Sequence, residues 1–150
     1  MIERFEKFSL SITEISRYWR KLATEEMEKY DLKGPHATYL ITMYRFPEGI
    51  TVPQLCEVTG KDKSDASRMI AILETKGLVR KQTVGGSSYR GLLELTDAGR
   101  QAAEHVRQRA CRAVEMAGKD LTEESREAFY TAMDSIVNNL REMSQDGIPE

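Results

Sequence analysis

The chain has 150 residues, of which 31% are charged and 40% hydrophobic, and its formal net charge is −2. These values fit one soluble globular domain or one compact subunit of an oligomer, and they exclude a disordered chain. The charged amino terminus lacks the apolar core of a signal peptide, and no run approaches the roughly 18 apolar residues of a membrane span. We therefore expect a cytoplasmic protein with no membrane partner.

The first predicted element is a long amphipathic helix over residues 1–30. Apolar side chains recur along it at alternating three- and four-residue steps, which places them on one side of a helix. These side chains are Phe5, Phe8, Ile12, Ile15, Trp19 and Leu22. Such an apolar side needs a partner surface, either the C-terminal helices or a second subunit.

A second helix is predicted over residues 36–46, after a break at residues 31–35. It offers a set of large side chains to a core: Tyr39, Leu40, Met43 and Tyr44. A lone histidine at its start, His36, is more often a capping or packing residue than a metal ligand. We therefore interpret His36 as structural.

Residues 50–77 predict a short helix, a tight turn and a longer helix. Thr51 and Gln54 form the pattern of a capping box, in which each side chain bonds the backbone of the other. Gly60 permits a sharp turn because it lacks a Cβ. Asp62 is a good N-cap for the second helix, and Gly77 is a natural stop.

The longer helix has two different faces. Apolar side chains that must face a core fall on one side, and they are Ala66, Met69, Ile70 and Leu73. The opposite side is small or polar with one long cation, and it comprises Ser64, Ser67, Arg68, Ala71 and Thr75. A solvated face would more often mix Glu and Lys, whereas Ser, Arg and Lys bond phosphates and base edges. The pattern favours a DNA recognition helix over an ordinary helical hairpin.

Two strands are predicted next, over residues 78–84 and 89–95, with a glycine–serine turn at 85–88. A flexible linker is the alternative, but apolar β-formers on both sides favour a hairpin, which after a recognition helix is a wing. Residues 59–90 carry seven cations and three anions, a local charge of +4, whereas residues 119–150 carry three cations and eight anions, a local −5. This asymmetry concentrates positive potential near the helix and wing.

Two further helices are predicted at the C-terminal end. The first is capped by Thr96, runs to about Gly118 and has a seam built largely of alanine: Ala98, Ala102, Val106, Ala110, Ala113 and Ala117. The second is capped by Thr122, and its seam is Phe129, Met133, Ile136, Leu140 and Met143. Together with the first helix, these seams exceed what one small winged-helix core can bury, so we expect a dimer.

The sequence gives little support to a catalytic or metal site. His36 and His105 are far apart, and neither has a Cys or His at ligand spacing. No nucleophile motif is found, so we predict no enzyme activity, no cofactor and no metal. Cys56 and Cys111 lie on predicted helices with largely apolar neighbours and are expected to be buried and inert.

Several segments of the chain resemble the MarR family of winged helix-turn-helix transcription regulators. They are Ile50-Thr51 with Leu55, Asp62-Lys63-Ser64, Leu73 to Val79 at the helix exit, and Leu95 to Gly99 at the strand-to-helix corner. The family's wing usually carries an Asp-x-Arg element, where this chain has Ser87-Ser88-Tyr89-Arg90 and no aspartate. The spacing from Arg90 to Leu95 is also one residue shorter.

The resemblance implies a mainly α fold with a small β-hairpin wing, and a homodimer that binds double-stranded DNA. Dimerisation helices would lie at residues 1–30 and 96–150, around a winged helix-turn-helix at 31–95. It implies a repressor that binds a pseudo-palindromic operator and is released by a small, often aromatic ligand. Oxidant sensors of the family typically carry a cysteine in the first helix, where this chain has none. The alternative is a helical protein-interaction module without specific DNA binding, which the missing wing aspartate would allow.

These expectations define two sets of candidate site residues. Major-groove contacts are expected from Ser64, Asp65, Ser67 and Arg68, backbone contacts from Lys61 and Lys63, and minor-groove contacts from Arg90 with Ser88. A ligand between the first helix and the DNA-binding part would be lined by Trp19, Tyr39 and Met43. The alternative for each of these three is that it packs the core.

Overall fold

The structure is a computed structural model that describes the backbone of residues 2–84 and 87–149, and the side chains of residues 2–82 and 91–149. In this part of the chain it has six α-helices and one antiparallel hairpin. Their bounds are α1 Ile2–Glu28, α2 His36–Tyr44, α3 Val52–Thr59, α4 Lys63–Thr75, β1 Val79–Val84, β2 Ser87–Leu95, α5 Asp97–Ala117 and α6 Glu123–Asp146. The predicted mainly α fold with a β-hairpin wing is confirmed. No described helix is both long and apolar enough to span a membrane.

The chain divides into two compact units, residues 1–109 and residues 110–150. The first unit contains a hydrophobic core. Buried residues of this core come from the end of α1, from each of α2, α3 and α4, from the hairpin and from the start of α5. Its largest fully buried side chains include Met27, Tyr39, Leu40 and Met43. The predicted division into parts at 1–30, 31–95 and 96–150 stays a prediction.

The helix α1 exposes its predicted apolar side. Phe5 is 69% exposed, Ile15 63% and Trp19 44%, and Met27 is the residue of this helix that is buried. The helix ends at Glu28, and Asp31 then adopts a left-handed φ of 53°, which turns the chain towards α2. The apolar side of α1 is therefore available to a partner surface.

His36 begins α2 and is 1% exposed. Its Nδ1 lies 3.1 Å from the backbone nitrogen of Lys33, which donates to it. Burial, the largest cause, lowers the pKa of His36. A buried imidazole bonded to the preceding turn is what the structural interpretation of His36 predicts.

The hairpin extends further on its second strand than predicted. Val79 pairs with Leu95 and Lys81 with Leu93, but Thr83 pairs with Ser88, so β1 advances two positions while β2 advances five. Gly91, with φ +63°, lies within this irregularity. The predicted turn at 85–88 is thus wrong for residues 87 and 88, because both belong to the strand β2. Residues 85 and 86 lie outside the described part of the chain.

The alanine seam of α5, predicted as a helical interface, stays a prediction. Ala98 and Ala117 are exposed, and the side that α5 buries in the first unit begins at Gly99. Only glycine fits at position 99, because a Cβ on Gly99 would overlap the carbonyl oxygen of Leu78. Thr96 caps the helix as expected, since its hydroxyl accepts from the Gly99 backbone nitrogen at 3.1 Å.

The second unit contains the end of α5 and all of α6. Thr122 caps α6 as predicted, because its side chain accepts from the backbone nitrogen of Ser125 at 3.2 Å. None of the described residues of α6 is buried, and its apolar side chains include Ile136, 39% exposed, and Leu140, 45% exposed. Cys111 on α5 is exposed and Cys56 on α3 is half-buried, so the prediction of buried cysteines is wrong for Cys111.

Candidate nucleic-acid interface

The turn between α3 and α4 is determined by local hydrogen bonds that the sequence predicts. Thr51 and Gln54 form the capping box at the start of α3. Gly60 ends that helix in the left-handed region with φ +67°. Asp62 then caps α4 by accepting from the Asp65 backbone nitrogen at 2.8 Å. These bonds fix where α4 begins and in which direction it leaves the turn.

The buried face of α4 determines which side chains point outwards. Ala66 and Leu73 are 0% exposed and Ile70 is 4% exposed, while Met69 packs partly buried against the same core. The predicted outer side chains Ser64, Ser67, Arg68, Ala71 and Thr75 are all exposed. The helix therefore presents these small, polar and cationic side chains, with the exposed Ile72 beside them, and it is supported from behind by the core.

Three lysines extend this cationic surface. Lys61 and Lys63 flank the start of α4, and Lys81 lies on β1, and all three are exposed. Two other cations of the same region are paired, since Lys76 contacts Asp31 and Arg80 contacts Glu94 at 2.7 Å. Within the described side chains, Lys61, Lys63 and Lys81 form no ion pair, which leaves their charges available to an anionic partner.

Asp65 differs from the other predicted DNA contacts because its carboxylate is already bonded on both sides. The hydroxyl of Tyr39 donates to its Oδ2 at 3.1 Å, and the guanidinium of Arg68 donates to its Oδ1 at 3.2 Å. Its side chain is 22% exposed, against 72% for Arg68. Sequence reasoning missed this arrangement, because Tyr39 lies on α2, far from Asp65 in the chain.

The base of the wing is attached to the chain segment before α3. Ile50 and Leu93 exchange two backbone hydrogen bonds, each of 2.9 Å, in an isolated antiparallel bridge. The side chain of Gln82 also donates to the Glu48 carbonyl at 2.9 Å and to Glu94 at 3.0 Å. Bonding to Arg80, the largest cause, lowers the pKa of Glu94. The wing therefore leaves the core from a fixed base.

The structure places Ser88 and Arg90 on β2, but their side chains lie outside the described part. The backbone of Ser88 pairs with that of Thr83 on β1. Both candidate wing residues therefore belong to the strand that returns from the wing. Their proposed minor-groove contacts stay a prediction.

The three candidate ligand residues do not lie together at a cavity wall. Tyr39 and Met43 are 1% and 2% exposed in the core, whereas Trp19 is 44% exposed on α1. An open cavity of about 580 Å³ lies elsewhere, lined by Tyr44, Asp97, Arg100, Gln101, Glu104, His105 and Gln108. There the Glu104 carboxylate, as the largest cause, raises the pKa of Tyr44, and bonding to Tyr44 lowers that of Glu104.

Among the described residues, no group of three or more His, Cys, Asp or Glu side chains is placed to hold a metal ion. The exposed face of α4, with the lysine of β1, combines cations with small polar side chains. A short helix, a turn, a longer helix with an outward polar face and a hairpin define a winged helix-turn-helix protein.

Comparison with known proteins finds a family match for part of the chain. Residues 30–87 match the sequence model of the MarR family, a segment that runs from before α2 to the start of β2. Over this segment the protein is therefore similar to the winged helix-turn-helix of the MarR family. Members of this family are transcription regulators and not enzymes.

Solved structures share the fold over nearly the whole chain. A MarR family transcriptional regulator from Listeria monocytogenes, complexed with 26mer DNA, is 22% identical with a TM-score of 0.77, and the match covers 93% of this chain and 95% of that one. MepR of S. aureus, in a DNA complex, is 19% identical with a TM-score of 0.78, over 89% and 96% of the chains. A regulator from Methanosarcina mazei is 21% identical with a TM-score of 0.78, over 92% of each.

Proposed function

We propose that this protein is a cytoplasmic, homodimeric repressor that binds a pseudo-palindromic operator through α4 and the wing. The observation that carries the proposal is the outer face of α4. Ser64, Ser67 and Arg68 are exposed there, while Ala66 and Leu73 on the opposite face are fully buried. A helix held in this way can enter the major groove with its polar face towards the bases.

Each candidate DNA contact other than Asp65 has a role that suits its chemistry. Arg68 can bond a guanine edge, and the Ser64 and Ser67 hydroxyls can bond a base or a phosphate. Lys61 and Lys63 are exposed at the start of α4, and they are proposed to contact phosphates of the DNA backbone. Arg90, with Ser88, is proposed to reach the minor groove. The DNA complexes of the Listeria and S. aureus proteins support this assignment by analogy of fold.

Dimerisation is proposed from the apolar side chains that the terminal helices expose. In α1 these include Phe5, 69% exposed, and in α6 Phe129, 46% exposed. Exposed apolar side chains repeated along a helix mark an interaction surface. A two-fold symmetric dimer presents two copies of α4, so its preferred DNA would be a pseudo-palindrome.

We also propose that a small aromatic ligand releases the DNA. Trp19 is half-exposed on α1, where an aromatic ring could stack on it, and Tyr39 and Met43 of α2 are buried in the core. A ligand releases DNA only by binding more tightly to the state that does not bind DNA. Trp19 is the single tryptophan of the chain, so its fluorescence reports on this site directly.

The function is tested by fluorescence anisotropy on duplexes from the DNA flanking the gene, with scrambled duplexes of equal length and composition as the control. We expect one duplex to bind at least about a thousandfold more tightly than its scrambled form at physiological salt. Arg68→Ala should reduce this ratio. Lys119→Ala, which removes an exposed cation of the second unit, should leave it unchanged.

The same experiment separates this proposal from the alternative of a protein-interaction module. A folded dimer that binds all duplexes equally, or none, would favour the interaction module. Random-sequence selection followed by sequencing extends the test to operators that lie elsewhere in the genome. Failure of that selection to enrich any motif would contradict the proposed function.

A further inference from the structure

A chain of two hydrogen bonds connects the core to the outer face of α4. It begins at the hydroxyl of Tyr39 on α2, whose side chain is 1% exposed. The hydroxyl donates to Asp65 Oδ2 at 3.1 Å, and Asp65 Oδ1 accepts from the guanidinium of Arg68 at 3.2 Å. Burial decreases outwards along this chain, since the Asp65 side chain is 22% exposed and that of Arg68 is 72% exposed.

The inner end of this chain is rigid. Tyr39 is packed among the fully buried side chains of the core, so the position of its hydroxyl is set by the fold. Burial first, and then the bond to Asp65, raise the pKa of Tyr39 to about 12. Tyr39 therefore keeps its proton at neutral pH, and its hydroxyl remains the donor to the carboxylate.

Asp65 is poorly suited to contact DNA itself. Both of its oxygens already accept hydrogen bonds, one from Tyr39 and one from Arg68. Its negative charge would also be repelled by the phosphates of a bound duplex. Its backbone nitrogen donates to the capping side chain of Asp62 at 2.8 Å, so its own position in the first turn is fixed.

We propose that Asp65 is a positioning residue, held by Tyr39, that orients the Arg68 guanidinium for reading a base. This inference rests on the proposed DNA-binding function. A long arginine side chain loses rotational freedom when it bonds a guanine, and a carboxylate that restricts it beforehand reduces that loss. The carboxylate replaces part of the water shell of Arg68 while leaving its other N–H donors free for the DNA.

The consequence is a specific effect on discrimination between sequences. An Arg68 side chain that is free to move can still contact phosphates, which all sequences share. Only the oriented guanidinium favours a particular base edge. Loss of Asp65 should therefore reduce binding to the preferred operator, while binding to random DNA stays equal or becomes tighter because one negative charge is lost.

The test compares the affinities of the wild type, Asp65→Asn, Tyr39→Phe, Arg68→Ala and the double variant Asp65→Asn/Arg68→Ala for operator and scrambled DNA. We expect Asp65→Asn to lower the operator-to-scrambled ratio about tenfold, comparable with the loss of one base contact. Tyr39→Phe, which removes a single oxygen atom, should act in the same direction by about threefold, as for one weakened hydrogen bond. In the Arg68→Ala background, Asp65→Asn should change the ratio no further, because the group that it positions is gone.

A readout without DNA separates this inference from the proposed function. In protein labelled with ¹³Cζ-tyrosine, the Tyr39 signal is identified by its absence in Tyr39→Phe. Its titration midpoint should be lower in Asp65→Asn than in the wild type, because the acceptor has lost its negative charge. Circular dichroism confirms that each variant is folded before its affinities are compared.

Several results would overturn the inference. One is a folded Asp65→Asn protein whose ratio of operator affinity to scrambled-DNA affinity is unchanged or higher. The Asp65 carboxylate would then have no effect on discrimination, or it would hold Arg68 away from the DNA. Another is an additive effect in the double variant. A Tyr39 titration midpoint that is the same in Asp65→Asn and in the wild type would contradict the hydrogen bond between Tyr39 and Asp65. Wild-type protein that does not discriminate between sequences, with the Tyr39 titration shifted as expected, refutes the proposed function and the positioning role with it.

Discussion

Gly99 in the first turn of α5 packs directly against the backbone carbonyl of Leu78, at the entrance to β1. A Cβ at position 99 would overlap that carbonyl oxygen and lie 2.8 Å from its carbon. The same oxygen accepts from the Thr96 backbone nitrogen at 3.0 Å. The corner between the hairpin and α5 therefore has room for glycine alone.

Gly99→Ala is accordingly expected to destabilise the first unit. The added methyl group meets backbone rather than a movable side chain, and overpacking of this kind costs about 1–3 kcal/mol. Denaturant unfolding followed by circular dichroism measures the loss. Gly118→Ala is the matched control, because its Cβ would meet only the flexible end of Arg126. Equal stability of Gly99→Ala and wild type would contradict the packing described here.

Replacement of Ile136 and Leu140 by aspartate should give a monomer or an unfolded chain. Both side chains are exposed on α6, at 39% and 45%, and the proposed dimer would bury them. Sedimentation velocity measures the association state. Thr131→Asp, which places the same charge on the opposite side of α6, should remain a dimer. A folded wild-type protein that sediments as a monomer would refute the dimer.

Arg68 and Arg90 should have different effects on DNA binding. Arg68→Ala is expected to weaken the preferred site more than random DNA, since one bidentate guanine contact contributes about 1–3 kcal/mol of discrimination. Arg90→Ala should weaken both evenly and flatten the plot of log affinity against log salt by about one unit, as for one lost phosphate contact. Unchanged operator affinity and salt slope in Arg90→Ala would mean that the wing does not touch DNA.

A ligand that releases DNA should quench or shift the fluorescence of Trp19. The site is tested by Trp19→Phe, which should change the concentration of ligand needed to release the operator. Tyr18→Phe, a neighbouring aromatic change on α1, serves as the control. A ligand that releases DNA from Trp19→Phe with unaltered affinity, and that crosslinks elsewhere, would place the site elsewhere.

Stability should depend on pH through Glu26. Its carboxylate accepts from Lys29 at 2.6 Å and from Arg109 of α5 at 2.9 Å. The bond to Lys29, as the largest cause, lowers the pKa of Glu26 from its ordinary value of 4.5. A lowered pKa stabilises the folded state above that ordinary value, and the stabilisation is lost as the pH falls through the folded-state pKa.

Glu26→Gln should therefore be less stable than wild type at neutral pH, by at most about 1 kcal/mol, because its partners are half-exposed. The difference should shrink in acid, as the pH falls far enough to protonate the wild-type carboxyl. Urea unfolding at the two pH values measures it. Glu6→Gln, an exposed change on the same helix, provides the reference. An equal difference at both pH values would exclude the ion pairs as its source.

Local features of the fold were predictable from the sequence. The caps at Thr51, Asp62 and Thr122 each depend on a bond to a residue three positions later, so the pattern and its partner lie in the same few residues. The two faces of α4 follow from helical periodicity for the same reason. These predictions needed no knowledge of the distant chain.

Features that depend on distant residues were not predictable. The burial of Gly99 instead of Ala98 depends on the carbonyl of Leu78. The bonding of Asp65 depends on Tyr39, which belongs to another helix. The start of β2 depends on a pairing shift that the strands determine together. In each case the tertiary fold brings the partner group into place. The hydrophobic periodicity of the sequence does not show such contacts between distant residues.

The bridge between Ile50 and Leu93 connects two segments of the first unit that are distant in the sequence. Its two hydrogen bonds join the segment before α3 to the second strand of the hairpin. Such a closure between distant segments forms late, because the entropy of the intervening loop must be lost first. Once the bridge has closed, α4 lies in a segment of the chain whose two ends are held together by backbone hydrogen bonds. We therefore expect the wing base and α4 to loosen together, so that their amide protons exchange with solvent at similar rates.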